Sequence, residues 1–256
     1  MEKTAIVTGA SRGIGAAAAL ALAAQGCRVA VCCRTRRDSA ESVAARIRAA
    51  GGTAAVFCAD VSDEAAVRTM FAQVEQTLGP ADILVNNAGV AQQKLFTDIT
   101  AAEWDAMFGV CVKGAFHCCQ AALPHMIRQK WGRIINISSM NAYTPLTKIP
   151  AYSGAKAAVS NFTEWLAVHF SKSRIRVNGI APGFFATKQN RELLFEKDGT
   201  PTPRTGKILA ATPLGRFGES EELIGTLLFL LNNEASGFIT GVVIPVDGGF
   251  QAYSGV

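Results

Sequence analysis

Short runs of apolar, largely β-branched residues alternate with Ala-rich helical stretches along almost the whole 256-residue chain. Runs near Thr4–Thr8, Arg28–Cys33, Ala54–Ala59, Asp82–Asn86, Arg133–Ser138, Arg176–Ala181 and Val242–Val246 read as strands. Helical stretches fall between them, at about Gly13–Gln25, Ser39–Ala50, Asp63–Leu78, Ala102–Gln129, Tyr152–Ser171 and Glu219–Asn232. Ser62 reads as the N-cap of the third helix, and Thr100 with Glu103 as a capping box at the fourth. Strands that follow crossover helices run parallel. Their near-continuous apolar character fits a sheet covered by helices on both faces. The pattern predicts an α/β fold, one doubly wound domain spanning residues 1–256, with no repeat or low-complexity linker dividing it.

The 49% of hydrophobic residues excludes a disordered chain, because enough surface can be buried to offset the ordering entropy. No uninterrupted apolar run reaches the roughly 18 residues of a membrane span. The apolar stretch after Met1-Glu2-Lys3-Thr4 is too short for a signal peptide, so a soluble, cytoplasmic protein is expected. The 25 basic and 20 acidic residues leave a net charge of +5 and are mostly interleaved, so no nucleic-acid or membrane partner is expected. The cysteines at 27, 32, 33, 58, 111, 118 and 119 lack metal-ligand spacing. They read as buried free thiols in a reducing compartment, and no metal site is expected.

One segment breaks the alternation. Phe184 to Phe217 carries charges, Gly199, prolines at 201, 203 and 213, and room for one helix. A connection of this length is usually functional or disordered. It follows the sixth strand at the edge where open α/β sheets bind ligands, and reads as a mobile substrate lid of about residues 184–217.

Directly after the first strand stands Thr8-Gly9-Ala10-Ser11-Arg12-Gly13-Ile14-Gly15, followed by an Ala-rich helix. Glycines 9, 13 and 15 allow a sharp turn and bring backbone N–H groups, from Ser11 to Ile14, against a pyrophosphate. Between a first strand and a first helix, this spacing is a strong sign of a dinucleotide site. The second strand ends Cys33-Arg34-Thr35-Arg36-Arg37, with no acid for a ribose 2′-hydroxyl until Asp38. Arg12, Arg34 and Arg36 instead suit a 2′-phosphate, so NADP(H) is the expected cofactor, with NAD(H) as the alternative. Asp60-Val61 are expected to border the adenine, and Asn87, Ala88 and Gly89 the adenosine ribose.

Tyr152 and Lys156 stand four apart at the start of a helix and share one face. Ser139 closes the fifth strand. Reducing a ketone by hydride transfer creates an alkoxide that needs a hydrogen-bond donor and a proton. A phenol has a pKa of about 10, and a nearby ammonium stabilises its ionised form. Tyr152 is therefore the expected acid/base, with Lys156 tuning it and binding the ribose. Ser139 would orient the carbonyl.

These segments, TGASRGIG, NNAG, ISS, YSGAK and Pro182-Gly183, resemble the short-chain dehydrogenase/reductase family across nearly the whole chain. The resemblance implies a seven-stranded Rossmann domain and hydride transfer with NAD(P). It also implies a homodimer or homotetramer built on the helices around 102–129 and 152–171. Pro182, Gly183, Phe185 and Thr187 fall where the family contacts the nicotinamide carboxamide and the phosphates. One position departs: Cys111 stands where the family has an asparagine that helps hold an irregular helical turn. That turn's carbonyl positions a water in a proton relay to the lysine. Weakened rather than abolished activity is expected, since Cys is a poor hydrogen-bonding partner.

The two halves resemble different subgroups. Residues 1 to about 130 are similar to 3-oxoacyl-carrier-protein reductases and to reductases of a ketone on elongation factor P. From Ser138 onward, SSMNAYTPLTKIPAYSGAK, APGFFATKQNR and PVDGGFQAYSGV resemble D-mannonate oxidoreductases (fructuronate reductases). The lid and catalytic loop lie in the second half, which favours a sugar acid. Asn141, Thr144, Lys148, Lys188, Gln189, Asn190 and Arg191 offer hydroxyl partners and cations for a polyhydroxylated carboxylate. The alternatives are a 3-oxoacyl thioester or protein-linked ketone, and an NADPH-binding protein with little or no turnover.

Overall fold

In the computed structural model, which describes residues 2–186 and 194–255, the expected strands form one parallel sheet. They are β1 (Thr4–Val7), β2 (Arg28–Cys33), β3 (Thr53–Cys58), β4 (Ile83–Asn86), β5 (Gly132–Ile137), β6 (Ile175–Pro182) and β7 (Val243–Val246). Their order is β3-β2-β1-β4-β5-β6-β7. The order reverses between β1 and β4, and such a switch point opens a crevice at the carboxyl ends of the strands. Chain segments leaving β1, β2, β4, β5 and β6 all emerge at that edge.

Alternate residues of each strand enter two separate cores. Ala5, Val7, Val29, Val31, Ile83, Val85 and Ile135 pack with α1 (Gly13–Ala24) and α2 (Arg37–Ala49). Ile6, Ala30, Leu84, Ile134 and Val177 pack on the other face with α3 (Glu64–Leu78) and α5 (Gly114–Gln129). Both faces being covered explains why the strands read as solid apolar runs. The alanines of α1 are small enough to sit close on the sheet, and Ala16 to Ala19 are buried.

Three details differ from the sequence reading. Asp63, not Ser62, caps α3, accepting from the Ala65 and Ala66 amides at 2.9 and 3.2 Å. Ser62 instead donates its hydroxyl to Asp60 at 2.6 Å. The single helix expected over 102–129 is α4 (Ala101–Phe108), a π-helical turn at Gly109–Lys113, and α5; Thr100 and Glu103 form the expected capping box. The cysteines are all free, but Cys58 at the end of β3 is exposed rather than buried. Although no apolar run is uninterrupted, Ala101–Gln129 is the one helical stretch among the described residues long and apolar enough to cross a membrane. Its apolar residues Cys118, Cys119, Ala122, Leu123 and Met126 face the second core.

The remaining elements are α6 (Pro150–Phe170), α7 (Pro203–Ala210) and α8 (Ile224–Leu231), the last preceded by a 3₁₀ turn at Ser220–Leu223. Asn232 then caps the short α9 (Asn233–Ser236). Among the described residues, α7 is a helix within 184–217, the segment where one was expected.

Candidate active site

The loop after β1 is shaped by what a side chain would hit. Gly9 has φ +65°, and a Cβ there would meet Ala88 Cα and Asn87 Nδ2 at 3.0 Å. At Gly15 a Cβ would come within 2.5 Å of Asn87 Nδ2 and the Gly9 carbonyl. The first turn of α1 has no side-chain cap: Arg12 occupies the N-cap position without bonding the helix amides. Uncapped amides and the positive end of the helix dipole make this a cradle for an anion, and it fits the pyrophosphate of a dinucleotide.

Asn87 braces that cradle. Its Nδ2 donates to the carbonyls of Thr8 and Gly9 at 2.9 and 3.1 Å. Thr8 Oγ1 accepts from the Asn87 and Ala88 amides, both at 3.0 Å. Thr8 is therefore a positioning residue that the sequence reading passed over. Its only signal was its place immediately before the first glycine.

Three arginines gather at the end of β2. Burial, and then the neighbouring Arg36 charge, hold Arg12 below the ordinary arginine value. Arg34 lies 3.6 Å from Asp60. The Asp60 carboxyl also accepts from Ser62 and is held below the usual carboxylate range, chiefly by that hydroxyl. Arg34 is thus partly neutralised, whereas Arg12 feels the like charge of Arg36. Val61, after Asp60, is buried and packs towards α5: a Cβ at Gly114 would strike Val61 Cγ2 at 2.6 Å.

The second cluster lies across the crevice, where β5 meets α6. Pro150 opens α6, where its missing N–H costs nothing. One turn in, Tyr152 and Lys156 share a face, and Lys156 Nζ lies 5.6 Å from the centre of the Tyr152 ring. Lys156 is buried, and its ammonium donates to the Ile137 carbonyl at 2.6 Å. Ser138 and Ser160, 2.7 Å apart, fasten α6 to β5 behind it. Ser139 accepts two bonds at its Oγ, from the Asn141 backbone amide and from Asn141 Nδ2, each at 3.2 Å.

Cys111 sits in the π-helical turn and is buried with Met107, Ala151 and Ala155. Its thiol lies 3.8 Å from the Val90 carbonyl. The irregular turn forms here with cysteine in place of asparagine. Such π turns recur at functional sites. Gly89 links the two clusters: a Cβ there would lie 3.7 Å from Lys156 Nζ and 3.8 Å from Cys111 Sγ. Beside them is a cavity of about 10 Å³, lined by Thr8, Val110, Cys111, Ile137 and Lys156. That is about the size that holds one water.

Residues expected to bind substrate are placed unevenly. Asn141 is only 8% exposed; its Nδ2 is engaged by Ser139, and its Oδ1 is buried. Lys148 is exposed and adopts φ 68°, a conformation rare outside glycine, with its carbonyl accepting from the Lys94 amide at 2.9 Å. Thr144 is half-buried. Thr187, Lys188, Gln189, Asn190 and Arg191 lie outside the described residues. Pro182 ends β6, and Gly183 packs so closely that a Cβ would meet Asp247 Cα at 2.6 Å. Phe185 is buried in the first core, its ring against Gly218. Among the described residues no group of three or more His, Cys, Asp or Glu side chains is placed to hold a metal ion.

The family described as short chain dehydrogenase matches residues 3–198. A crystal structure of a candidate D-mannonate oxidoreductase from Haemophilus influenza, with bound NAD, superimposes with a TM-score of 0.94 at 44% identity. That match covers 100% of this chain and 98% of the other. A gluconate 5-dehydrogenase from Burkholderia cenocepacia, in complex with NADP and tartrate, has a TM-score of 0.89 at 33% identity, covering 98% and 96%. A 3-oxoacyl-[acyl-carrier-protein] reductase of Synechocystis is 38% identical, over 98% of each chain.

Proposed function

Because the chain belongs to the short-chain dehydrogenase/reductase family, its general activity is that of an oxidoreductase using NAD(P), and we propose that its substrate is a sugar acid of the fructuronate/mannonate type, with NADP(H) as the cofactor. The observation that carries the substrate is the 44% identity, over the full chain, to the candidate D-mannonate oxidoreductase. The exposed residue Lys148 supports it, since a polyhydroxylated carboxylate needs a cation.

A dinucleotide bound in this crevice would provide the hydride donor or acceptor. The remaining steps belong to this chain. Ser139, with both acceptor positions filled by Asn141, has only its O–H to offer and donates it to the substrate oxygen. Tyr152 passes its phenolic proton to that oxygen in reduction and takes it back in oxidation. Lys156, fixed by the Ile137 carbonyl, provides the positive charge beside the phenol and reaches towards the ribose. The glycine loop holds the pyrophosphate. Arg12 and Arg36 take the 2′-phosphate, since two neighbouring guanidinium groups suit a dianion.

The described residues 184–186 and 194–217 belong to the lid over the crevice. The enzyme is cytoplasmic and assembles as a homodimer or homotetramer through the outer faces of α5 and α6, where Phe116, Trp165 and Val168 are exposed.

Steady-state assays with NADPH and NADH, each against fructuronate and an acetoacetyl thioester, test the proposal. The highest kcat/KM is expected for NADPH with fructuronate. Preference for the thioester replaces the sugar acid by the acyl-carrier-type reading that the Synechocystis relative favours. Cofactor binding without turnover of either ketone would instead point to a binding protein.

A further inference from the structure

The carboxyl ends of β2 and β3 carry a feature that hydride transfer does not use. Cys33 is the last residue of β2 and Cys58 the last of β3, and the parallel register places them opposite each other. Their sulfurs are 3.4 Å apart. Neighbouring strands lie about 4.8 Å apart, within the range of about 4.4–6.8 Å between Cα atoms that a disulfide spans. The two thiols differ. Cys58 is exposed and lies 3.7 Å from Arg37 Nη1, whereas Cys33 is only 4% exposed. The other cysteines are buried.

The pair also adjoins a charged contact. Arg34 follows Cys33 directly and Asp60 stands two residues after Cys58, and the two side chains meet at 3.6 Å across the same strand ends. We infer that Cys33 and Cys58 form a peroxide-sensitive dithiol whose oxidation to a disulfide weakens dinucleotide binding. The disulfide rests on the register, the 3.4 Å between the sulfurs and the exposure of Cys58, and not on the function. Its effect on binding rests on the proposed function, which places the adenosine end of the cofactor at this edge.

The chemistry balances with a hydroperoxide as oxidant. The Cys58 thiolate, exposed and beside a guanidinium, attacks one peroxide oxygen. An S–O bond forms, the O–O bond breaks, and with hydrogen peroxide hydroxide leaves, giving a sulfenic acid. The Cys33 thiol then attacks that sulfur. The S–S bond forms, the S–O bond breaks, and the hydroxyl departs as water with the Cys33 proton. Two sulfurs are each oxidised by one electron, and one peroxide is reduced. Burial and the neighbouring Cys58 raise the Cys33 thiol above its ordinary value, which suits the resolving rather than the attacking role. Closing the gap to about 2.05 Å draws the strand ends together and displaces Arg34 and Asp60.

The test uses the purified full chain, reduced and then treated with hydrogen peroxide. Intact mass and peptide mapping should show loss of two hydrogens and a Cys33–Cys58 linked peptide. Fluorescence titration with NADPH and NADH should show affinity for the preferred dinucleotide reduced by about tenfold, within the usual scale of coupling between sites. Dithiothreitol should restore both. Cys58→Ser should retain its affinity after peroxide, and Cys33→Ser should stop at a sulfenic acid trapped by a 1,3-dione. A Cys58 that proceeds to sulfinic acid with no linked peptide overturns the inference, and so does a linked peptide with unchanged affinity. If the reduced chain binds neither dinucleotide, the proposed function and the gating both fall, while the mass measurement still reads the disulfide independently.

Discussion

The Asn141 side-chain amide and its own backbone amide both donate to Ser139 Oγ, each at 3.2 Å. A hydroxyl has two acceptor lone pairs and one proton, so these bonds leave Ser139 a donor. A donor aimed before the substrate arrives needs no reorganisation during the reaction.

Asn141→Ala should lower kcat by roughly tenfold, about 1.4 kcal/mol in the barrier, while KM changes little. Ser139→Ala should cost more, about 10²–10³ in kcat, as for loss of an oxyanion donor. The measurement is steady-state kinetics on both variants. An Asn141→Ala enzyme with undiminished kcat would show that the serine orients itself without help.

Cys111→Asn should raise kcat, by about tenfold at most, the scale of one improved hydrogen bond. The π-helical turn already exists with cysteine, so the substitution changes hydrogen bonding beside the cavity next to Lys156 rather than the path of the chain. Kinetics paired with circular dichroism decide the point. A lower or unchanged rate in a folded variant argues against a proton relay through that cavity.

Arg36→Ala should weaken NADPH binding by about tenfold, as expected for a lost charge-assisted hydrogen bond. NADH binding should be almost untouched, because NADH has no 2′-phosphate for Arg36 to hold. Equal losses for both dinucleotides in fluorescence titrations would assign Arg36 to something other than the 2′-phosphate.

Ser62→Ala bears on acid stability. The Ser62 hydroxyl is the largest reason that Asp60 is held below the usual carboxylate range. A carboxyl with a lowered folded pKa adds stability above its unfolded value, about 3.9, and loses it as pH falls through the folded value. The Tm difference between wild type and Ser62→Ala should therefore be present at pH 7 and shrink below about pH 4. A difference independent of pH would mean the hydroxyl acts through packing.

The chain alone determined what depends on near neighbours. Solid apolar runs announced the seven strands, Gly9 to Gly15 announced the phosphate cradle, and the four-residue spacing of Tyr152 and Lys156 announced their shared face. Each of these follows from local backbone geometry, which adjacent residues set. Tertiary structure decided what depends on partners far along the chain. Thr8 became the brace of a loop held from Asn87, Asn141 turned inward to Ser139, and Cys58 met Cys33. Even the choice of Asp63 over Ser62 as helix cap turned on Asp60 engaging the serine first. Sheet register and the closeness of strand ends arise only when segments dozens of residues apart pack together, and no local pattern encodes those distances.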